Sequence, residues 1–387
     1  MLPTQVYPFR APAVSYVGLG AVQKAGEEAR RLRATQAVVI TDPGLVKAGV
    51  ADEVKSILVK AGIPTEIYSE VETEPSIESV ERCFEVVKAG GYDLLVGLGG
   101  GSSMDTAKGC SLLSANPGSI RDYFGVDKVQ KKGLPTILIA TTSGTAAELT
   151  PNAIFADKEK QLKAGVVSPL IMADVAIVDP LLTLSVPPYV TAFTGMDALT
   201  HAVESYTAIK ATHHTDLYAL ESIRLIAANL RTAVANGSNV EARYYMALGS
   251  YLAGFSLTNA GAGAVHAMAY PLGSQYHVPH GVANAVLLPY VLEFNILGDL
   301  PKFARIAEAM GEDVIGLSPR AAAERAVEAI RQLSADIGIP QRLRDLGVKQ
   351  ESLAGFVPGT MSATRLIDNN PRRITADDVL AIFQKAW

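Results

Sequence analysis

One aspartate and three histidines in the second half of the chain have the residue types and spacing of a metal site. Asp197 and His201 lie four positions apart, so on a helix both side chains project from one face. His266 and His280 follow in two short glycine-flanked segments, and the 387-residue chain has only six histidines. A carboxylate with three imidazoles is an ordinary ligand set for Fe(II), Zn(II), Co(II) or Mn(II). The sequence therefore predicts a metal that acts as a Lewis acid on an oxygen, although a lone helical histidine is more often a packed or surface residue.

A glycine cluster in the first half is a candidate phosphate site. Gly99, Gly100 and Gly101 connect a predicted strand to a predicted helix that opens with Ser102. Glycine allows close approach of the backbone to a ligand, and a helix start offers free N–H groups with partial positive charge, a combination that suits a pyrophosphate. The alternative is a tight turn in which Ser102 and Asp105 form a capping box, and this leaves Asp105 with a structural role. Both interpretations stay open.

Two further segments follow predicted strands and could face the same ligand. Asp42 precedes the glycines, which reverses the order of the usual dinucleotide fingerprint. If Asp42 contacts a ribose hydroxyl, its charge would repel a 2′-phosphate and favour NAD over NADP. The alternative is that Asp42 only starts the Asp-Pro-Gly turn. The segment 141–148 (TTSGTAAE) places hydroxyls at the carboxyl end of a strand, where α/β sheets bind ligands.

The elements that must position these residues differ between the two halves. The first half alternates β-branched runs with amphipathic segments, which predicts a parallel sheet with helical crossovers. After Asp179 the pattern becomes helical. Pro187 and Pro188 would break any helix or strand that ran across the junction of the two halves. We therefore predict an NAD-binding α/β domain over residues 1–183 and a helical metal-binding catalytic domain over 184–387. The predicted strands are 36–41, 64–71, 93–99, 135–142 and 175–179, and the predicted helices are 45–60, 76–89, 102–113, 215–235, 241–259, 319–336 and 375–386, the last opened by a Thr375–Asp378 capping box.

Composition excludes several classes of protein. The chain has 34 Lys and Arg against 39 Asp and Glu, a net charge of −5 and no basic block, which argues against a nucleic-acid partner. Its two cysteines, Cys83 and Cys110, are too few for a disulfide framework and are typical of a reducing compartment. The amino terminus lacks a secretory pattern, and the longest apolar stretch, 281–298, is interrupted by Asn, Pro and Glu. We expect a soluble, cytoplasmic protein without a membrane partner.

The chain resembles the iron-containing, or group III, alcohol dehydrogenase family over essentially its whole length. The resemblance implies a Rossmann-like α/β dinucleotide-binding domain followed by an all-α metal-binding domain of the dehydroquinate synthase-like type. It also implies NAD(H)-linked hydride transfer with small primary alcohols, diols or hydroxy-aldehydes, with a metal polarising the substrate oxygen. The blocks that match in order and spacing are GGGSSMDTAK, TTSGTAAELT, VDPLLTLSVPPYVTAFTGMDALTHAVES, VHAMAYPLGSQYHVPHG and NNPRR.

The resemblance implies a role for each residue that matches a family motif. The implied metal is Fe2+, with Zn2+ as the alternative, and the implied partners are a small-molecule substrate and further copies of the chain in a homodimer or larger assembly. The implied metal ligands are Asp197, His201, His266 and His280. The implied cofactor-binding residues are Gly100, Gly101 and Ser102 at the pyrophosphate, Asp42 at the adenosine ribose, Thr141, Thr142 and Thr145 toward the adenine and phosphates, and Lys163 and Leu182 at the ribose and adenosine.

The chain departs from the family pattern in two places. Many relatives have a second histidine four residues after the third ligand, where it is thought to relay a proton, but this chain has Tyr270. A tyrosine titrates near pH 10 and cannot be assumed to replace a histidine. We hypothesise that His277, or a water chain past Tyr270, carries the proton; the alternative is that His277 only supports a metal ligand or lies on the surface. The second departure is Glu74-Pro75-Ser76, where relatives commonly have Asn-Pro-Thr.

Three alternative functions stay open at this point. Two keep the fold, namely a lyase that makes dehydroquinate and a metal-independent maleylacetate-type reductase. The third is a nucleotide-binding scaffold that has lost catalysis. The complete ligand set argues against the metal-independent reductase and the scaffold, and the dehydrogenase-type blocks argue against the lyase. His213 and His214 lie in a polar segment that we interpret as a solvated turn.

Overall fold

The computed structural model describes residues 6–159 and 162–387. The prediction about a secretory segment concerns an amino terminus whose first five residues lie outside the described residues. The strands are β1 (Val14–Val17), β2 (Ala37–Ile40), β3 (Thr65–Tyr68), β4 (Leu94–Gly99), β5 (Gly125–Val126), β6 (Thr136–Ala140), β7 (Asn152–Asp157), β8 (Leu162–Val167) and β9 (Val175–Val178). The helices are α1 (Lys24–Arg31), α2 (Pro43–Lys47), α3 (Val50–Lys60), α4 (Ile77–Gly90), α5 (Gly101–Ala115), α6 (Pro188–Thr207), α7 (His213–Ala235), α8 (Val240–Ala260), α9 (Ala264–Tyr276), α10 (His280–Asn295), α11 (Leu300–Ala309), α12 (Pro319–Asp336), α13 (Leu353–Ser362), α14 (Thr364–Ile367) and α15 (Ala376–Ala386).

The main sheet is parallel throughout and places the candidate cofactor residues along one edge. In the described part of the chain it has six strands in the order β1-β9-β6-β4-β2-β3. Strands β2, β4, β6 and β9 are buried along their whole length, as their continuous aliphatic sequences predict. Because β2, β4 and β6 are neighbours, Asp42, Gly100 and Thr141 follow the carboxyl ends of adjacent strands. The predicted fold class, a parallel α/β half followed by a mostly helical half, is confirmed.

The sequence did not predict four of the strands. Strand β1 forms one end of the main sheet, and β5, β8 and β7 form a small second sheet in that order. These strands are short or only half-buried; β7 alternates partly buried and buried residues rather than presenting a continuous apolar run. The predicted helix 45–60 is two helices, because Gly49 adopts a left-handed conformation with φ of +77° between α2 and α3.

One capping prediction is wrong and another is confirmed. Helix α5 is capped by Gly100, so Ser102 lies inside the first turn and cannot form a capping box with Asp105. Asp105 instead accepts a hydrogen bond from the Ile154 backbone N–H at 2.9 Å and joins α5 to β7, which confirms its structural role. The predicted box at the last helix is present, since the Thr375 and Asp378 side chains each bond the other's backbone N–H.

The second half is built from packed helices around its own apolar core. Helix α6 begins at Pro188, and α10 lies among the other helices as a core element. The segment His280–Gly298 is long and apolar enough to cross a membrane by composition, but 72% of it is buried inside the protein, as is usual for a core helix. The prediction of a turn at His213 and His214 is wrong, because Thr212 caps α7 and both histidines lie exposed in its first turn. The boundary between residues 183 and 184 stays a prediction.

The first half has two apolar cores, one on each face of the main sheet. Cys83 in α4 and Cys110 in α5 belong to the same one of these cores, and both are free and buried thiols.

Candidate active site

The four predicted metal ligands come together from three helices. Asp197 and His201 lie on one face of α6, His266 lies in the first turn of α9, and His280 is the first residue of α10. The Nε2 atoms of His266 and His280 are 4.0 Å and 3.9 Å from Asp197 Oδ1. The ring centroids of His201 and His266 are 4.6 Å apart, and those of His266 and His280 are 5.3 Å apart.

This arrangement fits a divalent metal ion. Distances near 4 Å are too long for hydrogen bonds, whereas two atoms that each lie about 2.1 Å from one ion can be at most about 4.2 Å apart. The distances from Asp197 Oδ1 to His266 and His280 meet this limit, and ligand atoms of Asp197, His201 and His266 lie within a slightly wider 4.8 Å of one another. His266 Nε2 is buried and, among the described residues, has no hydrogen-bond partner. Such an atom costs about 1–3 kcal/mol unless something binds it, and an ion would do so.

The electrostatics of the site favour a negative Asp197 and neutral rings at His201 and His280. Burial of His266, by contrast, is outweighed by Glu204 and Asp197, which raise the pKa of that imidazole. Burial lowers the pKa of His201 to about 4 and that of His280 to about 3, so both rings are uncharged at neutral pH. The Nε2 atom of His280 lies 3.1 Å from Asn284 Nδ2. Burial works against ionisation of Asp197, but the three imidazoles and an amide hydrogen bond hold its pKa below the ordinary value. The amide belongs to Asn284, whose Nδ2 donates to Asp197 Oδ1 at 2.7 Å.

Sequence reasoning missed two polar residues that contact the ligands. Asn284 contacts Asp197, and Glu204 contacts His266, with Glu204 Oε2 2.5 Å from His266 Nδ1. The signal was available, because Glu204 lies three residues after His201 and Asn284 lies four residues after His280. Both spacings place these side chains on the ligand-bearing faces of α6 and α10.

The candidate cofactor site is a glycine turn covered by threonines. A Cβ at Gly101 would lie 3.1 Å from Thr145 Cγ2, and one at Gly100 would lie 3.4 Å from Thr142 Oγ1. Thr141 is buried and donates its backbone N–H to the Gly99 carbonyl at 3.0 Å. The structure therefore brings the predicted glycines and threonines together at the carboxyl ends of β4 and β6. The first N–H groups of α5, which have no partner within the helix, lie at this edge.

Ser102 and Asp42 both use their side chains in local hydrogen bonds. The Ser102 hydroxyl donates to the Thr73 carbonyl. The Ser102 backbone N–H lies in the first turn of α5, where such groups have no partner within the helix. Asp42 Oδ1 accepts from the backbone N–H groups of Gly44 at 2.8 Å and Leu45 at 3.2 Å, and thereby caps α2. Its role at the start of the turn is confirmed, and its contact with a ribose stays a prediction.

Lys163 lies between the sheet half and the metal-bearing helices. Its Nζ is 2.5 Å from Glu74 Oε1, and a Cβ at Gly273 of α9 would lie 3.0 Å from it. Its positive charge is one of the influences that lower the pKa of His280, after burial. Leu182 lies elsewhere, buried in one apolar core of the sheet half, and its predicted contact with adenosine stays untested.

The loop after β6 packs directly against the helix that holds two ligands. A Cβ at Gly144 would lie 2.8 Å from the Cβ of Thr194, which precedes Asp197 by three residues in α6. Only glycine allows this approach without displacement of the helix. The glycine turn and the metal ligands are therefore neighbours, and a substrate between them would contact both halves of the chain.

The two candidates for proton transfer lie in different surroundings. The ring centroid of Tyr270 is 6.5 Å from that of His280, and burial raises the pKa of the Tyr270 hydroxyl, so it stays protonated at neutral pH. His277 follows the end of α9 in a left-handed conformation with φ of +53°, and its side chain is exposed.

Comparisons with known proteins agree along the whole chain. Residues 12–180 match the family model for iron-containing alcohol dehydrogenase, and residues 191–387 match the model for the C-terminal part of the Fe-containing alcohol dehydrogenase family. The chain is 44% identical over 379 residues to long-chain-alcohol dehydrogenase 1 of Geobacillus thermodenitrificans, covering 97% of this chain and 95% of that protein. It is 42% identical over 385 residues to 1,3-propanediol dehydrogenase of Klebsiella pneumoniae, covering 99% of each. It is 39% identical to the NAD-dependent methanol dehydrogenase of Bacillus methanolicus, covering 98% and 99%.

Solved structures show the same architecture. The structure of a 1,3-propanediol oxidoreductase superposes with a TM-score of 0.97 at 42% identity, covering 99% of this chain and all of that one. Sulfoacetaldehyde reductase from Bifidobacterium kashiwanohense, solved in complex with NAD+, superposes with a TM-score of 0.89 at 28% identity and covers 99% of each chain.

Proposed function

The chain belongs to the iron-containing alcohol dehydrogenase family, and we propose that it is a metal-dependent, NAD(H)-linked alcohol dehydrogenase or aldehyde reductase acting on small primary alcohols, diols or hydroxy-aldehydes. The observation that supports this most is the group of four metal-ligand side chains next to the glycine turn of the sheet. Its relatives are named as alcohol and diol dehydrogenases, which supports an oxidoreductase. The substrate class follows from the range of those relatives.

Asp197, His201, His266 and His280 would hold the metal. When bound, the metal supplies a Lewis acid for the substrate oxygen and the nicotinamide supplies the hydride acceptor or donor. The three helices would hold the ligand side chains on one side of the substrate. We propose Fe2+, because the family model that the chain matches is that of iron-containing alcohol dehydrogenases. Zn2+ is the alternative, because the same ligands bind Zn(II) more tightly by the usual affinity order, so the metal in the cell depends on supply.

The cofactor would lie along the carboxyl edge of the main sheet. We propose that the backbone of Gly100, Gly101 and Ser102 binds the pyrophosphate, since the start of α5 offers free N–H groups there. The Asp42 carboxylate would hydrogen-bond the adenosine ribose and thereby favour NAD over NADP. Lys163 would contact the ribose nearer the metal. The remaining proposed contacts, toward the adenine, adenosine and phosphates, are Thr141, Thr142, Thr145 and Leu182.

Proton transfer is assigned to His277 or to a water chain past Tyr270. The ring centroid of Tyr270 lies 6.5 Å from that of the ligand His280, and His277 carries an imidazole, the side chain that most often acts as a general acid or base. The test compares pH–rate profiles of His277→Ala and Tyr270→Phe with the parent. We expect one of them to lose or displace a limb of the profile. Parent-like profiles in both would refute the relay.

Alanine substitution of single ligands tests the proposed function. We expect His266→Ala and His280→Ala to lose metal and alcohol-dependent NADH formation together, while circular dichroism still shows a folded chain. His213→Ala is the matched control, because His213 is exposed on α7 away from the ligand cluster. Metal is measured by elemental analysis after anaerobic purification, and activity with a panel of alcohols, diols and aldehydes with added Fe(II) or Zn(II). Full turnover in a metal-free preparation would contradict the proposal, and absence of NADH formation with every alcohol would favour the lyase.

The setting of the enzyme is also a proposal. We infer a cytoplasmic homo-oligomer, the location on the basis of two free buried thiols and the assembly by analogy with the family. Size-exclusion chromatography with light scattering measures the assembly directly.

A further inference from the structure

We propose that Glu204 is the positioning residue of the metal site, because it fixes the tautomer of His266 and so directs the lone pair of Nε2 toward the metal. This inference rests on the proposed metal-dependent function and adds a residue to it. Glu204 is not one of the proposed metal ligands. It acts through the imidazole of His266, to which it is hydrogen-bonded.

Both oxygens of Glu204 accept hydrogen bonds from consecutive residues of α9. Oε2 lies 2.5 Å from His266 Nδ1, and Oε1 accepts the Val265 backbone N–H at 2.6 Å. Glu204 and His266 are each only 5% exposed. The Val265 N–H lies in the first turn of α9, where backbone donors lack partners within the helix. The N-cap residue of α9 is Gly263, which has no side chain to accept such a hydrogen bond. Glu204 therefore caps α9 from α6 while it orients the ligand.

The close packing around Glu204 leaves little freedom for another arrangement. A Cβ at Gly263 would lie 3.1 Å from Glu204 Oε1. A side chain at position 263 would therefore press against the carboxylate, which gives a reason for glycine at this cap.

The hydrogen bond determines which nitrogen is free. A neutral imidazole has one donor and one acceptor nitrogen, so a carboxylate at Nδ1 requires the proton there and leaves Nε2 as the acceptor. Nε2 of His266 faces Asp197, 4.0 Å away, and no described residue hydrogen-bonds it. With neutral histidines, Asp197 and Glu204 bring two negative charges to the site, which balances a divalent cation.

An amide cannot replace this carboxylate. Both positions at Glu204 are acceptors, whereas glutamine has one acceptor and one donor. The glutamine of Glu204→Gln has two possible orientations. In one, its NH2 group donates to His266 Nδ1, so the ring proton moves to Nε2. In the other, its NH2 group faces the Val265 N–H, so two donors oppose each other and α9 loses its cap. Loss of such a supporting hydrogen bond lowers metal affinity about 10–100-fold in metalloproteins.

The test measures the tautomer in metal-free protein and the affinity in a separate titration. Nitrogen NMR of protein labelled with 15N-histidine, recorded at alkaline pH, distinguishes protonated from unprotonated ring nitrogens, and the His266→Ala spectrum identifies the signals of His266. Co(II) alone, titrated in competition with a chelator, gives the affinity, and its visible absorption reports the coordination geometry. The matched control is Glu28→Gln, a buried glutamate of α1 that contacts Tyr16 and Arg31 instead of a histidine.

We expect the parent and Glu28→Gln to show the Nδ1–H tautomer of His266, and Glu204→Gln to lose it and to bind Co(II) about 10–100-fold more weakly. An Nε2–H tautomer in the parent would overturn the proposal without any variant that must fold. Unchanged tautomer and affinity in Glu204→Gln would also overturn it. A parent that binds no Co(II) but shows the Glu204-dependent tautomer would refute the proposed metal function and leave the orientation of His266 by Glu204 in place.

Discussion

Glu148, in the loop between β6 and β7, offers a stability test that is independent of metal and cofactor. Its side chain is 2% exposed, and no described residue hydrogen-bonds Oε2. Burial raises the pKa of this carboxyl from 4.5 to about 7, although Lys108 nearby acts in the opposite direction. Glu148→Gln removes the ionisable group and keeps its shape and volume.

The expected magnitude follows from the two pKa values. A change from 4.5 in the unfolded chain to about 7 in the folded one corresponds to about 3 kcal/mol. The folded state binds the proton of the Glu148 carboxyl more tightly than the unfolded chain does. The stabilisation of the folded state by this protonation is therefore fully present below pH 4.5 and is lost as the pH rises through about 7. Above that pH the folded protein must bury a charge that glutamine does not have.

Urea unfolding of parent and variant at several pH values measures this effect. We expect equal free energies of unfolding near pH 4.5 and a variant up to about 3 kcal/mol more stable above pH 7. Glu85→Gln, on an exposed position of α4, is the control and should show no such divergence. A difference between parent and Glu148→Gln that does not change with pH, or a variant less stable above pH 7, would refute the reasoning.

Three further substitutions test other contacts. Lys163→Met should raise the KM for NAD(H) about 10–100-fold in initial-rate assays, since a charge-assisted hydrogen bond contributes about 1.5–3 kcal/mol. The control Glu74→Gln should change this KM less, and equal KM values in Lys163→Met and the parent would contradict the contact. Asp42→Ala should raise the kcat/KM for NADP relative to NAD and lose about 1 kcal/mol from the cap of α2, and an unchanged cofactor ratio would exclude the ribose contact. Thr375→Ala should cost about 1 kcal/mol in urea unfolding without change in turnover, because it affects only the cap of α15; a loss of turnover would count against this.

The ligand set could be predicted because its information is local. Asp197 and His201 share a helix face at a spacing of four, and His266 and His280 stand out by residue type in short segments. Glu204 and Asn284 were missed because each contacts a ligand on another helix, Glu204 a histidine 62 positions away and Asn284 the carboxylate of Asp197. The spacing of three or four residues from a ligand places such a polar side chain on the right face of its helix, but the partner on another helix is identified only once the helices are packed.

The sheet shows the same limit. The strands with continuous aliphatic sequences could be predicted, but the β7 and β8 hairpin, which carries Lys163, could not, because its half-buried alternation is a weak signal. The break between α2 and α3 at Gly49 and the start of α5 at Gly100 could not be predicted either. Several neighbouring residues could have adopted the backbone conformation needed at each of these helix ends.

The burial of Cys83 and Cys110 makes the molecule convenient for spectroscopic labelling. Both native thiols are inaccessible, so a single cysteine introduced on the surface of each half would be the only reactive pair. Val59 in the sheet half and Leu297 in the helical half are exposed and suit this purpose. Fluorophores attached there would follow the separation of the two halves by energy transfer in solution, without removal of any native cysteine.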